Sequence, residues 1–334
     1  MRLIYTILLL TVLFSACEKP ESPISLPPSV GKQMQLDMGT DYNKQVFVSF
    51  DKGVISSLDI SVWDLAFDCG VNDKNIYLNG GNHVLVATVG TSVFKRDVPI
   101  NKLHWRWDAA NGMHDSLALY NWCNQQLISY DSVYMIDRGS QHNSAERYYQ
   151  FKIKRVNNHE YELEVANQNG EQSKTFIITK DPTKNQVYFS FGNGGSYLNF
   201  EPVSEDWDLC FLSYRWIYYE FNPPLLYSVA GTFINHKFLE ASADSTSKLD
   251  YTSIQIPHFA TQQYSRNRDA IGFDWKVPVF GGATVQYRCR NYVNYFVRKY
   301  PVGGEVELYK IRFIDFYSQQ GIKGYPTFEL HRLK

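Results

Sequence analysis

The chain has 334 residues, 44% of them hydrophobic and 16% aromatic, enough apolar material to bury sizeable cores without disulfide or metal staples. Its 33 basic and 34 acidic residues leave a formal net charge of −1, which removes the electrostatic case for binding nucleic acid or an anionic bilayer. Long amphipathic helical patterns are lacking, whereas short alternating runs rich in Tyr and Phe recur between Gly, Asn, Asp and Pro, which points to an all-β, mostly antiparallel fold.

The N-terminal run Met1-Arg-Leu-Ile-Tyr-Thr-Ile-Leu-Leu-Leu-Thr-Val-Leu-Phe-Ser-Ala-Cys17 has one positive charge, an apolar stretch and two small residues ahead of a cysteine. It reads as a bacterial lipoprotein signal over residues 1–17, too short for a membrane span, with Cys17 as the acylated residue. Phe14 stands where Leu is more usual, and an ordinary cleaved signal is the alternative. Residues 18–31 are rich in Pro and Ser and read as an extended tether. The folded part is then expected outside the inner membrane, held away from the bilayer on a lipid anchor.

Beyond the tether the sequence repeats itself. Lys32-Gln-Met-Gln-Leu-Asp and Lys174-Thr-Phe-Ile-Ile-Thr read as opening strands. Each is followed by a related pair of runs: Asn43-Lys-Gln-Val-Phe-Val-Ser-Phe50 with Val62-Trp-Asp-Leu-Ala-Phe67, and Lys184-Asn-Gln-Val-Tyr-Phe-Ser-Phe191 with Asp206-Trp-Asp-Leu-Cys-Phe211. The offset is 141 from Val46 to Val187 and 144 from Trp63 to Trp207, far beyond solenoid or propeller periods of roughly 20–50 residues. Both copies close with a two-strand hairpin, Tyr149–Val156 with Tyr161–Val165 and Tyr309–Phe316 with Thr327–His331. Two tandem domains follow, at 32–170 and 171–334.

On a period-two strand Trp63, Leu65 and Phe67 share a face, as do Trp207, Leu209 and Phe211. Both sets are expected in a core, while Asp64 and Asp208 point the other way and take donors at a strand edge. Cys69, Cys123, Cys210 and Cys289 have no matching positions between copies and read as buried free thiols, with Cys69–Cys123 or Cys210–Cys289 as alternatives. There is no metalloprotease, nucleophile-elbow, P-loop or EF-hand motif, and Gly192-Asn-Gly-Gly195 sits where a hairpin turn is expected, so no enzyme is anticipated.

The Val-x-x-Ser-Phe start, the Trp-Asp-Leu-x-Phe strand, the turn Asn79-Gly-Gly81, the closing Leu308–Phe316 strand and Gly321–Glu329 resemble the HmuY family of haem-binding outer-membrane lipoproteins. The resemblance implies two HmuY-like antiparallel β domains in tandem, and a role in binding haem or a related tetrapyrrole and passing it to a TonB-dependent transporter. It also implies two axial His or Met ligands between the Trp-Asp strand and the late aromatic strand. In the second copy that stretch offers His258, with Tyr264, Arg266 and Arg268 as propionate partners, and His258 is the metal-ligand candidate. In the first copy it offers Met113 and His114. Val279 or Phe280 stands at the later ligand position of the second copy and cannot bind iron, and Trp122-Cys-Asn-Gln-Gln126 at that of the first lacks His or Met, so the ligand set is incomplete. His83, His104, His142, His159, His236 and His331 show no ligand-like spacing. The alternative is a non-haem surface binding or scaffold lipoprotein of the same fold that engages a glycan, a peptide or a partner protein.

Overall fold

The computed structural model describes residues 31–280 and 285–334. Cys17, the rest of the signal stretch and residues 18–30 lie outside the described residues. Strands hold 45% of the described residues and helices 9%, an all-β architecture as expected. Among the described residues no helix is long and apolar enough to cross a membrane.

The first copy supplies β1 (Lys32–Gln35), β2 (Lys44–Ser49), β3 (Gly53–Asp59), β4 (Leu65–Asp68), β5 (Ile76–Leu78), β6 (Leu85–Thr91), β7 (Ser132–Asp137), β8 (Tyr148–Val156) and β9 (Glu160–Asn167). The second supplies β10 (Lys174–Thr179), β11 (Gln186–Ser190), β12 (Ser196–Leu198), β13 (Leu209–Tyr218), β14 (Leu225–Ile234), β15 (Leu239–Asp244), β16 (Lys276–Val279), β17 (Gln286–Cys289), β18 (Asn294–Lys299), β19 (Glu307–Tyr317) and β20 (Lys323–Arg332).

Their pairing crosses from copy to copy. One unit contains the sheets β1-β20-β19-β18-β15 and β14-β13-β2-β3, the other β10-β9-β8-β7-β6 and β12-β11-β4-β5, with β16 and β17 forming a separate hairpin. The opening strands β1 to β3 of the first copy complete the second, and β10 to β12 of the second complete the first. Registers match: Val48 faces Leu209 and Val46 faces Phe211, as Phe189 faces Leu65 and Val187 faces Phe67. The cores follow the pairing. Residues 34–50 and 209–330 build one, and residues 65–191 build the other. Buried aromatics such as Trp275, Phe313 and Phe211 fill the first, and Phe67, Phe151 and Phe189 the second.

The chain passes between the units at 60–64 and again at 199–208, and each passage ends in Trp-Asp. Both aspartates are buried and bridge the copies. Asp64 Oδ2 accepts the Phe191 backbone N–H at 2.7 Å, and Asp208 Oδ2 accepts that of Phe50 at 2.7 Å. A cation neutralises each carboxylate, Arg138 at 2.9 Å from Asp64 and Lys299 at 2.7 Å from Asp208. Asn79 and Asn235 donate to the carbonyls of the two Trp residues at 2.8 and 2.9 Å. Trp63 meets Tyr188 edge-on with ring centroids 5.0 Å apart, and Trp207 meets Phe47 at 5.2 Å.

The expectation that each Trp shares a core with the next two alternate residues needs correcting. Leu65 and Phe67, like Leu209 and Phe211, enter the main cores, but Trp63 packs with Ala66 and Trp207 with Cys210 in smaller clusters. Each Trp closes a 3-10 turn, Ile60–Val62 or Ser204–Asp206, so it precedes the strand and escapes its alternation. The Gly192-Asn-Gly-Gly195 segment turns β11 into β12, as a hairpin connection should. Gly195 has φ +98°, and a Cβ there would lie 2.6 Å from the Phe176 ring. Cys69, Cys123 and Cys210 are buried and Cys289 is half-buried, all as free thiols.

Residues 60–206 contain one whole core and both of its sheets, so this fragment, cut across the copy boundary, is expected to unfold cooperatively in urea as a monomer. A non-cooperative transition would refute that unit. Asp64→Ala leaves the Arg138 guanidinium buried without its carboxylate and should cost the full chain about 3–5 kcal/mol by urea denaturation.

Candidate functional site

The second copy departs from the first where strands lengthen. β13 and β14 run ten residues each, whereas their first-copy counterparts β4 and β5 have four and three. The extra length carries Tyr218, Leu225 and Tyr227 out beyond the core, and the β16–β17 hairpin, which the first copy lacks, stands opposite with Pro278, Phe280 and Tyr287. The third wall comes from the first copy: Asp41–Asn43, Asp59–Ser61 and Gly81–His83. Together they enclose a cleft of about 630 Å³, within the roughly 300–1,000 Å³ typical of small-molecule sites.

The turn after Asn79 reaches β13 because it has no side chain there. A Cβ on Gly81 would sit 2.3 Å from Ile60 Cδ1 and 2.4 Å from the Ser213 carbonyl oxygen. The same close approach delivers His83, at φ +59°, to the cleft. Its Nδ1 lies 3.4 Å from Ser228 Oγ, and its carbonyl accepts from Arg215 Nη2 at 3.1 Å. Partial desolvation and the Arg215 guanidinium lower its basicity, which favours the neutral imidazole.

Lys276 marks the buried end of the cleft, 6% exposed, while Phe280 at the rim is 77% exposed. The amine donates to the Ala230 carbonyl and lies 4.2 Å from the Trp275 ring centroid and 4.9 Å from that of Phe316. No carboxylate among the described residues pairs with it. Burial pushes its pKa down to about 7, against small opposing contributions from Cys289 and Asp274.

The candidates read from the sequence lie elsewhere, and none of the five lines the cleft. His258 sits in the 3-10 turn Ile256–Thr261, where its Nδ1 accepts the Gln255 backbone N–H at 3.0 Å and completes a capping box. Phe259 of the same turn packs edge-on against Phe296, on the side of β18 away from the main core. Arg266 lies over the Tyr300 ring and 3.7 Å from Glu240. Arg268 is held between Tyr77 and Phe233, 4.4 and 4.7 Å from their ring centroids, and its backbone N–H donates to the Asn111 carbonyl at 3.0 Å. Arg268 therefore meets the loop that carries Met113 and His114. Met113 itself is exposed, and His114 Nδ1 is 2.7 Å from Asn75 Oδ1. His258 shares no hydrogen-bond partner with Met113 or His114. Among the described residues no three His, Cys, Asp or Glu side chains converge as metal ligands.

Sequence reasoning missed His83 and Lys276. His83 follows the flagged Gly-rich turn but serves strands of the other copy, and Lys276 lies within the segment Trp275–Gly282 as a charge in an apolar strand. No protein-family model, curated protein or solved structure matches the chain.

Lys276 gives a pH signature. Its ordinary pKa of 10.5 falls to about 7 on folding, so between those values the unfolded chain binds more protons and stability rises with pH. Lys276→Met should therefore be more stable than wild type at pH 7. In urea denaturation that advantage should shrink between pH 7 and 9 by up to ~1.4 kcal/mol per pH unit.

Proposed function

We propose that the protein is an HmuY-like lipid-anchored surface protein that binds haem or a related tetrapyrrole in this cleft and passes it to a TonB-dependent transporter. The observation that carries the reading is a cleft of about 630 Å³, aromatic along two walls, with His83 the one imidazole lining it among the described residues. Tyr and Phe faces suit a flat macrocycle, and one neutral imidazole suits one axial position of the iron. A single protein ligand leaves the sixth position to water or a phenol oxygen, and binding should be weaker than at a two-ligand site. Phe280, where the resemblance expects a second ligand, lines the same cleft as an apolar residue.

A second reading keeps the cleft but not the iron: the exposed Tyr219, Phe221 and Phe280 favour contact with a partner protein or glycan. Haemin and metal-free protoporphyrin titrations separate the two. Wild type should shift the haemin Soret band at micromolar concentration. His83→Ala should abolish or alter that shift while leaving porphyrin affinity within about twofold. His258→Ala should leave both unchanged. Absence of any spectral response to either compound would reject the tetrapyrrole.

A further inference from the structure

From the charge lining the cleft, we infer that its ligand is an amphipathic carboxylate whose acid group enters first and pairs with the Lys276 amine. This rests on the cleft being the ligand site, not on the ligand being a tetrapyrrole. Among the described residues Lys276 is the only Lys or Arg lining the cleft, whereas Asp41, Asp59 and Glu220 line it with negative charge. An anion is therefore attracted to one place and repelled from the others.

The amine is also incompletely satisfied. An ammonium has three donors, and the hydrogen bond to Ala230 uses one. A buried ammonium without a counter-ion is costly, and a carboxylate from the ligand supplies both the missing charge and acceptors for the remaining donors. Burial that lowers the basicity of the empty site is the same cost seen from the proton's side. The apolar remainder of such a ligand would lie along Tyr227, Leu225 and Phe280 towards the rim.

The probes are a dansyl-labelled undecanoic acid and its methyl ester, titrated by fluorescence into the full chain. Wild type should bind the acid at least about tenfold more tightly than the ester, the worth of one charge-assisted hydrogen bond. Lys276→Met should reduce the preference to within about twofold, and Phe280→Ala should weaken acid and ester alike. The inference is overturned by equal affinity for acid and ester, by an acid preference that survives Lys276→Met, by indifference to Phe280→Ala, or by no binding of either probe. An acid preference in a protein that ignores porphyrins would sustain this inference and remove the tetrapyrrole reading.

Discussion

Two buried aspartates at the crossing points of the chain set the rest of the structure. Asp64 and Asp208 each end a passage between the units and accept the backbone N–H of a Phe that belongs to the other sequence copy. A carboxylate removed from water must be matched by donors and a counter-charge, and those at Asp64 come from Phe191 and Arg138, one from each copy. The bond fixes where the Trp-Asp strand begins, hence its register against β2 or β11, hence which side chains enter each core.

On this near-symmetric frame the cleft is an asymmetric addition. The two copies share strand order and the Trp-Asp arrangement, but only the second extends β13 and β14 and inserts β16 and β17. The exchange then matters in a second way. It lays the first copy's Gly80-Gly81 turn against β13, so the first copy forms one wall of a pocket otherwise built by the second. His83 and Lys276, which both line it, come from different copies and different units.

The all-β class, the duplication and the closing hairpins were legible because they depend on local alternation and on motif recurrence. The partners of the opening strands were not. Val-Phe-Val-Ser-Phe and Val-Tyr-Phe-Ser-Phe are near-equivalent strands, and either fits either Trp-Asp strand by period-two pattern alone. The His258, Met113 and His114 candidates followed from motif position; in the fold His258 Nδ1 accepts from the Gln255 backbone within its own turn, and His114 Nδ1 meets the distant Asn75. His83 was illegible because its role depends on the exchange, and Lys276 because a lysine's burial depends on what covers its strand.

The short joint between copies explains why the pairing crosses. Only six residues, 168–173, separate β9 from β10, so β10 folds back on β9 as a hairpin and takes β11 and β12 with it. The architecture is thus that of two sequence copies that exchange their opening strands within one chain. Covalent joining makes the pairing of the two copies a concentration-independent step. It also leaves the two copies free to differ, and the second alone carries the long β13 and β14 and the β16–β17 hairpin.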